Sequence, residues 1–491
     1  MVSLAVFTDA YTYGKASMSW VDCLNILIRS DEKGLVIPIL PFALRELANV
    51  LEQDLQRWTS ILLAMYGAGA MIGAPVTAYW ADRSVSRNIV FLSGLMILAA
   101  SVVAFTIGHS ITILMAARFI QGASAASVYS VGTAIIADAF ADRGMGVVMG
   151  VLDMSMASGT VLGPAVGGLV YHYYGYRAVF LSAYLLIAID LALRILMSDQ
   201  KHENDVEQQG HDHHSGAKNP PHTENLQIGI IDETTSLGSS HKTYGAIMRD
   251  PSSVTSGALS ASASVTSATV VVGPLSEGSL PPRRSSMIEL LLIPRMQVCL
   301  LGDFMENALL TGLESVLPLR IKIIFGYNSK EVALILLMLA IPLFGGPLVG
   351  HLADKYGPKR LVVFGFVSLL PLLVSLRIIT QPGFEHLVLL RVLLLMIGTC
   401  FNAILTPLFL DVTYLVDERA DKSSQCGLKP KKEYAQAYAL MSVACASGCL
   451  CDPLLGGLED YIGWSSLTLS AGLVCALCAI PSFLFLGKEI D

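Results

Sequence analysis

Gly73-Ala-Pro75-Val-Thr-Ala-Tyr-Trp-Ala81-Asp82-Arg83-Ser-Val-Ser-Arg87 and Gly345-Gly-Pro347-Leu-Val-Gly-His-Leu-Ala353-Asp354-Lys355-Tyr-Gly-Pro-Lys359 carry one pattern twice. Gly, Pro, Ala, Asp and two basic positions recur at identical spacing. Each copy closes a long apolar run, so the chain repeats a helix end and the turn after it. The small residues let helices approach closely. The Asp and its basic neighbours sit at a membrane edge, where they can pair with each other or with helix ends.

A second repeat lies further along each half. Gly150-x8-Gly159-x3-Gly163-Pro164-x2-Gly167-Gly168 corresponds to Gly448-x3-Asp452-Pro453-x2-Gly456-Gly457. Glycine at such spacing flattens a helix face, and proline frees a carbonyl and permits a bend. The run reads either as plain helix packing or as a helix that bends or slides while two bundles rock.

Composition agrees. Of 491 residues, 53% are hydrophobic and only 14% charged, with mean hydropathy +0.60. A soluble chain needs about 25% charge to cover its surface, and a net charge of −7 leaves no basic face for nucleic acid. Apolar segments cover 4–14 joined to 34–44, then 58–80, 89–108, 111–137, 147–171, 177–197, 295–320, 331–352, 361–379, 386–410, 433–458 and 464–487. Each supplies the roughly 20 residues a bilayer crossing needs. The expected fold is an all-α polytopic membrane protein, with 12 transmembrane helices in two pseudo-symmetric six-helix bundles. Residues 1–197 form the N-terminal bundle and 287–491 the C-terminal bundle. Between them, 198–286 is rich in Ser, His, Gly and Pro and reads as a disordered linker.

Orientation follows from the basic residues. One set of loops holds Arg83, Arg87, Arg143, Lys355, Lys359, Arg360, Arg419, Lys422, Lys429, Lys431 and Lys432. The other holds Arg45, Arg57, Arg177, Arg320, Lys322 and Lys330. The richer set is expected in the cytoplasm, with both termini and the linker. No cleavable signal is visible, and the first span is its own insertion signal.

These residues resemble the major facilitator superfamily over nearly the whole chain. The Asp82/Arg83/Arg87 loop resembles that family's signature loop, and Arg118-x2-Gln121-Gly122 its proton-coupling motif. The Gly150–Gly168 run resembles the drug/proton antiporter motif. Phe7-Thr8-Asp9 before Pro38-Ile39-Leu40-Pro41, Glu314-x3-Pro318, Asp142-Arg143-Gly144 and Tyr414-Leu415-Val416-Asp417 resemble the vesicular-amine-transporter-like fungal branch. The resemblance implies two bundles around a cavity that opens alternately to each side, and an Asp9 that meets a cationic substrate. That branch has acids where this chain has Asn402 and Ser442, a departure that bears on monoamine specificity and coupling.

The first span is interrupted by the polar stretch Lys15–Gly34. Removing it joins Gly14 to Leu35 and restores one continuous helix. Gly14-Lys15 can be encoded by GGTAAG, a splice donor, and Lys33-Gly34 by AAAGG, an acceptor. We therefore expect a translated intron, the rival being a real re-entrant or extracellular insertion. The helix begins so near Met1 that the start is expected upstream.

Ionisable groups inside spans usually face a cavity or a partner. They are Asp9, Arg118, Asp153, Asp190, Asp303, Glu306, Glu314, Arg391 and Asp411. Asp9 and Glu314, in the first helix of each half, are the expected substrate and proton sites, with Arg118 as a relay or carboxylate partner and Asn402, Tyr129 and Phe401 as cavity liners. Asp153, Asp303 and Glu306 are expected nearer the cytoplasmic ends, the latter two solvated. Asp411 is read as either a gate residue or a solvated end. The conformational set is Asp82, Arg83, Arg87, Asp354, Lys355, Lys359, Gly159, Gly163, Pro164, Gly167, Gly168, Asp452 and Pro453.

The nine cysteines are expected reduced, and His211-Asp212-His213-His214 is expected to be a solvated tract rather than a metal site. No nucleotide loop, catalytic order or zinc spacing is present. The expectation is therefore a monomeric secondary transporter, not an enzyme, with no cofactor and no metal. Its partners are a small-molecule substrate, protons and the lipid bilayer. Proton-driven efflux of an amphipathic or cationic compound at a plasma or vacuolar membrane leads. Uniport, nutrient symport and a non-transporting paralogue are the alternatives.

Overall fold

The computed structural model describes residues 44, 54–84, 87–108, 110–140, 144–175, 178–185, 187–189, 192, 287–327, 329–425 and 432–487. Asp9, the stretch 15–34, Asp190 and the linker 198–286 lie outside the described residues. The chain divides into two units: Met1–His202 together with Arg284–Asp491, and Glu203–Arg283. Every described residue belongs to the first.

All regular structure among the described residues is helical. The N-terminal half contributes α1 (Leu55–Ala81), α2 (Arg87–Ile107), α3 (Ile111–Ala139), α4 (Met145–Tyr174) and the shorter apolar α5 (Ala178–Ile189). The C-terminal half contributes α6 (Pro294–Phe325), α7 (Ser329–Ala340), α8 (Gly346–Tyr356), α9 (Pro358–Ser375), α10 (Phe384–Gln425), α11 (Tyr434–Cys449) and α12 (Asp452–Phe485). Seven helices among the described residues are long and apolar enough to cross a membrane.

Local chemistry sets the ends. Pro294 opens α6, where its missing N–H is no loss, and Gly326 closes it at φ 68°, donating its N–H to Lys322 O. The span expected over 331–352 is two helices. Pro342 lacks an N–H, and Ile341–Gly345 tightens into a 3-10 turn between α7 and α8. The span expected over 433–458 also breaks, after Cys449, and Pro453 sits in the first turn of α12. By contrast α4 runs unbroken through Gly159, Gly163, Pro164, Gly167 and Gly168. The second repeat is thus helical throughout in one half and interrupted in the other. The span expected to end at 410 continues as α10 to Gln425, which puts Arg419 and Lys422 on a helix rather than in a loop.

The halves meet at backbone distance. A Cβ on Gly150 would overlap the Gly346 carbonyl, and one on Gly350 would overlap the Gly146 carbonyl. Only hydrogen fits on either side, so glycine in both repeats lets α4 lie directly on α8. Tyr129 of α3 packs edge-on against Phe409 of α10, with centroids 6.3 Å apart. Outside, large apolar side chains such as Trp80, Ile89, Phe364 and Phe483 face outward, as a lipid-facing surface requires.

Candidate functional site

The twin Asp residues each reach across to the opposite half. Asp82, its side chain 0% exposed, accepts from Arg87 Nη2 at 2.9 Å and from the backbone N–H of Gln436 at 3.1 Å. Asp354 accepts from the backbone N–H of Gly146 at 2.8 Å and of Val147 at 3.3 Å, with Tyr414 Oη at 3.4 Å. Gln436 lies in the first turn of α11, and Gly146 and Val147 in the first turn of α4. The first N–H groups of a helix have no partner within it and carry its positive end. Each carboxylate therefore caps a helix of the other half, and the two crossed caps clamp one end of the molecule.

The clamp is not symmetric. Asp82 is buried and Asp354 is exposed. Arg87 also pairs with Asp138 and donates to Lys432 O at 2.8 Å. Arg83 lies over the Tyr79 ring at 3.6 Å and Lys355 near Tyr356 at 5.3 Å, while Lys359 lies near Phe483 at 4.5 Å. The expected conformational set thus splits. Asp82, Arg87 and Asp354 form the clamp, whereas Arg83, Lys355 and Lys359 rest on aromatic rings. Asp452 and Pro453 sit where α12 begins.

Deeper along the interface lies a group of buried acids. Asp153 of α4 is 5% exposed, and Asp303 and Glu306 of α6 are each 1% exposed. Glu306 lies within electrostatic range of Asp303, Asp153 and Glu314. This corrects the expectation that Asp303 and Glu306 are solvated. Asp303 Oδ2 and Glu306 Oε2 are buried and accept no hydrogen bond among the described residues.

Neutral groups stitch these acids to both halves. Thr406 Oγ1 lies 2.7 Å from Asp153 Oδ2 and 3.0 Å from Asn402 Oδ1, and Asn402 Nδ2 donates to Pro342 O at 2.7 Å. Asn307 Nδ2 donates to Asp303 Oδ1 at 3.0 Å, and Cys445 Sγ approaches Asn307 Oδ1 at 3.2 Å. Tyr129 is within electrostatic range of Asp303 and Asp153.

Asn402 and Tyr129 thus lie beside these acids. Glu314 is exposed, within electrostatic range of Glu306. Arg118 is 1% exposed, donates from Nη1 to Gln121 Oε1 at 3.0 Å and sits over the Phe105 ring at 4.8 Å. It lies about 16 Å along α3 from Tyr129 at 1.5 Å per residue, so it belongs to a different layer.

Two functional groups escape sequence reasoning. Thr406 is one hydroxyl in an apolar run and gives no signal. Arg295, 8% exposed, forms a bidentate pair with Asp411 (Nε–Oδ2 and Nη2–Oδ1, both 2.8 Å) and reaches Glu418 at 3.1 Å. Asp411, 0% exposed, is therefore a fully paired interior group; the signal for its partner was a lone Arg at the mouth of an apolar segment.

The profile of the Major Facilitator Superfamily matches residues 23–424. The chain belongs to that superfamily. It is 26% identical over 476 residues to the MFS-type transporter ppzB of Metarhizium rileyi, covering 92% of this chain and 91% of that protein. It is 23% identical over 484 residues to the MFS-type transporter C18.02 of Schizosaccharomyces pombe, covering 96% and 92%. A stretch of 135 residues is 33% identical to the quinolone resistance protein NorA of Staphylococcus aureus, covering 28% of this chain and 33% of NorA. The fold matches the crystal structure of the human organic anion transporter MFSD10 (TETRAN) at a TM-score of 0.62 and 16% identity, over 95% of this chain and 99% of that one. The superfamily assignment and the apolar helices make this an integral, multi-pass membrane protein.

Proposed function

We propose that this superfamily member is a proton-coupled exporter of small amphipathic or cationic organic compounds, and that Asp153, Asp303 and Glu306 are its proton- and cation-binding groups, with Asn402 and Tyr129 lining the same pocket. Three negative charges in one dry interior would repel strongly, so the pocket must take up protons or a cation. The part of the chain that resembles NorA supports efflux. The basic loops flanking the clamp support a cytoplasmic position for it. We propose Asp9 and Glu314 as further substrate- and proton-binding acids in addition to this group.

One observation carries the reading. Asn402 Nδ2 is spent on Pro342 O, so Asn402 Oδ1 is left as an acceptor. Thr406 has one hydroxyl proton but sits within hydrogen-bond distance of both Asn402 Oδ1 and Asp153 Oδ2. Both contacts are satisfied together only when Asp153 supplies the second proton. A proton on Asp153 then completes a chain from α4 of one half to α10 and Pro342 of the other; when it leaves, Thr406 turns its one hydroxyl proton to the Asp153 carboxylate and gives up Asn402 Oδ1. Competition between proton and cation for the same acids yields antiport without covalent chemistry.

Asp153→Asn tests this in proteoliposomes, using the lipophilic cation ethidium as a probe. The amide preserves the neutral hydrogen-bond pattern but releases no proton. Ethidium exchange down its own gradient should persist, while uptake driven by an imposed pH gradient should fall at least tenfold. Wild-type pH-driven uptake by this variant would remove Asp153 from the coupling path.

A further inference from the structure

The repeated loop places two basic residues in each half, and the halves use the second one differently. In the N-terminal half Arg87 is saturated by Asp82, Asp138 and Lys432 O. Its counterpart Lys359 turns away from the clamp, and its ammonium sits 4.5 Å from the centre of the Phe483 ring. Arg360 follows it in the chain and is exposed. No described carboxylate lies within ion-pair distance of either residue. Two adjacent cations with no ion-pair partner among the described residues therefore stand on the outer wall, at the end of the membrane span that carries the clamp.

Beneath them runs a groove of about 610 Å³ between the start of α9 and the end of α12, lined by Lys359, Arg360, Val363, Phe364, Val367 and Phe483. Phe364 is 62% and Phe483 59% exposed. The groove is thus cationic at its mouth and apolar along its floor. Cations at the edge of hydrocarbon are costly unless an anion meets them or the side chain reaches water. Lys359 folds over an aromatic ring instead of extending away from it.

We infer that this groove binds one anionic phospholipid of the adjoining leaflet, with its phosphate held by Lys359 and Arg360 and an acyl chain lying along Phe364, Val367 and Phe483. Charge complementarity selects the headgroup, since basic pockets at a membrane edge attract anionic lipid. The apolar floor selects a lipid over a free phosphate ion. The site sits on the C-terminal half beside the Asp354 end of the clamp. The inference does not depend on the transported substrate or on proton coupling.

Native mass spectrometry of the full chain in detergent, with phosphatidylglycerol, phosphatidylcholine or inorganic phosphate added, tests it. The wild type should retain one phosphatidylglycerol in preference to phosphatidylcholine. Lys359→Gln/Arg360→Gln should weaken that retention on the order of thirtyfold, while Lys355→Gln, at a neighbouring exposed cation, should leave it unchanged. The exchange Lys359→Arg/Arg360→Lys should keep binding, and Arg360→Gln alone gives a milder readout of the same loss should the double variant fail to fold. Equal retention by wild type and the glutamine variants, an equal loss in Lys355→Gln, or phosphate competing as well as the lipid would each overturn the site.

Discussion

Neutralising Asp82 should open the clamp far more than neutralising Asp354. Asp82 has no exposed side-chain surface, and its two oxygens take a guanidinium N–H at 2.9 Å and a helix-end N–H at 3.1 Å. A hydrogen bond to a charged group is worth about 1.5–3 kcal/mol, and a charge at a helix end about 0.3–1 kcal/mol more. Asp82→Asn keeps an acceptor for Gln436 but loses the charge, so the closed state should weaken by about 2–3 kcal/mol, or roughly 30- to 150-fold in the closed-to-open ratio. Asp354 is exposed, and water screens its charge, so Asp354→Asn should cost only about 0.5 kcal/mol, a two- to threefold change. Spin labels at Ser84 and Lys422, exposed positions at the clamp end in opposite halves, report the separation when native cysteines are replaced. Electron–electron resonance should show one short-distance population in the parent, a dominant longer one in Asp82→Asn and a minor shoulder in Asp354→Asn. Equal shifts in the two variants, or a larger one in Asp354→Asn, would refute the burial argument.

Two further outcomes follow from packing and pairing. Arg295→Met strands the fully buried Asp411 charge and should destabilise the protein by about 3–5 kcal/mol, with Arg295→Met/Asp411→Leu recovering most of it; thermal unfolding in detergent measures both. Gly150→Val drives a branched side chain into the Gly346 carbonyl and should cost the closed state about 1–3 kcal/mol, read as a longer Ser84–Lys422 distance with helix content unchanged.

How far the sequence shows these features depends on what kind of information each one needs. The helix-end Asp residues were legible because a repeat writes them twice, and the small residues of the two repeats, Gly150 among them, marked where helices could come close. The inequality of the two caps was not, because it depends on partners far along the chain: Asp138, at the far end of α3, pairs with Arg87, whereas its counterpart Lys359 lies near Phe483 of α12. The buried acids were misplaced for a different reason. Hydropathy locates a residue along a helix but says nothing about which way it faces. Asp303 lies nine residues and Glu306 twelve residues into α6, about 14 and 18 Å at 1.5 Å per residue. Since half the hydrocarbon thickness is about 15 Å, that depth already put them near mid-membrane. Their apposition to Asp153 needed the docking of α4 against the C-terminal half, which no reading of single helices supplies. Asp153 of α4 and Thr406 of α10 belong to opposite halves, so on the proposed reading the 2.7 Å contact between them is lost when the halves part. The hydroxyl that gave no signal in the sequence is therefore the group that joins Asp153 of one half to Asn402 of the other.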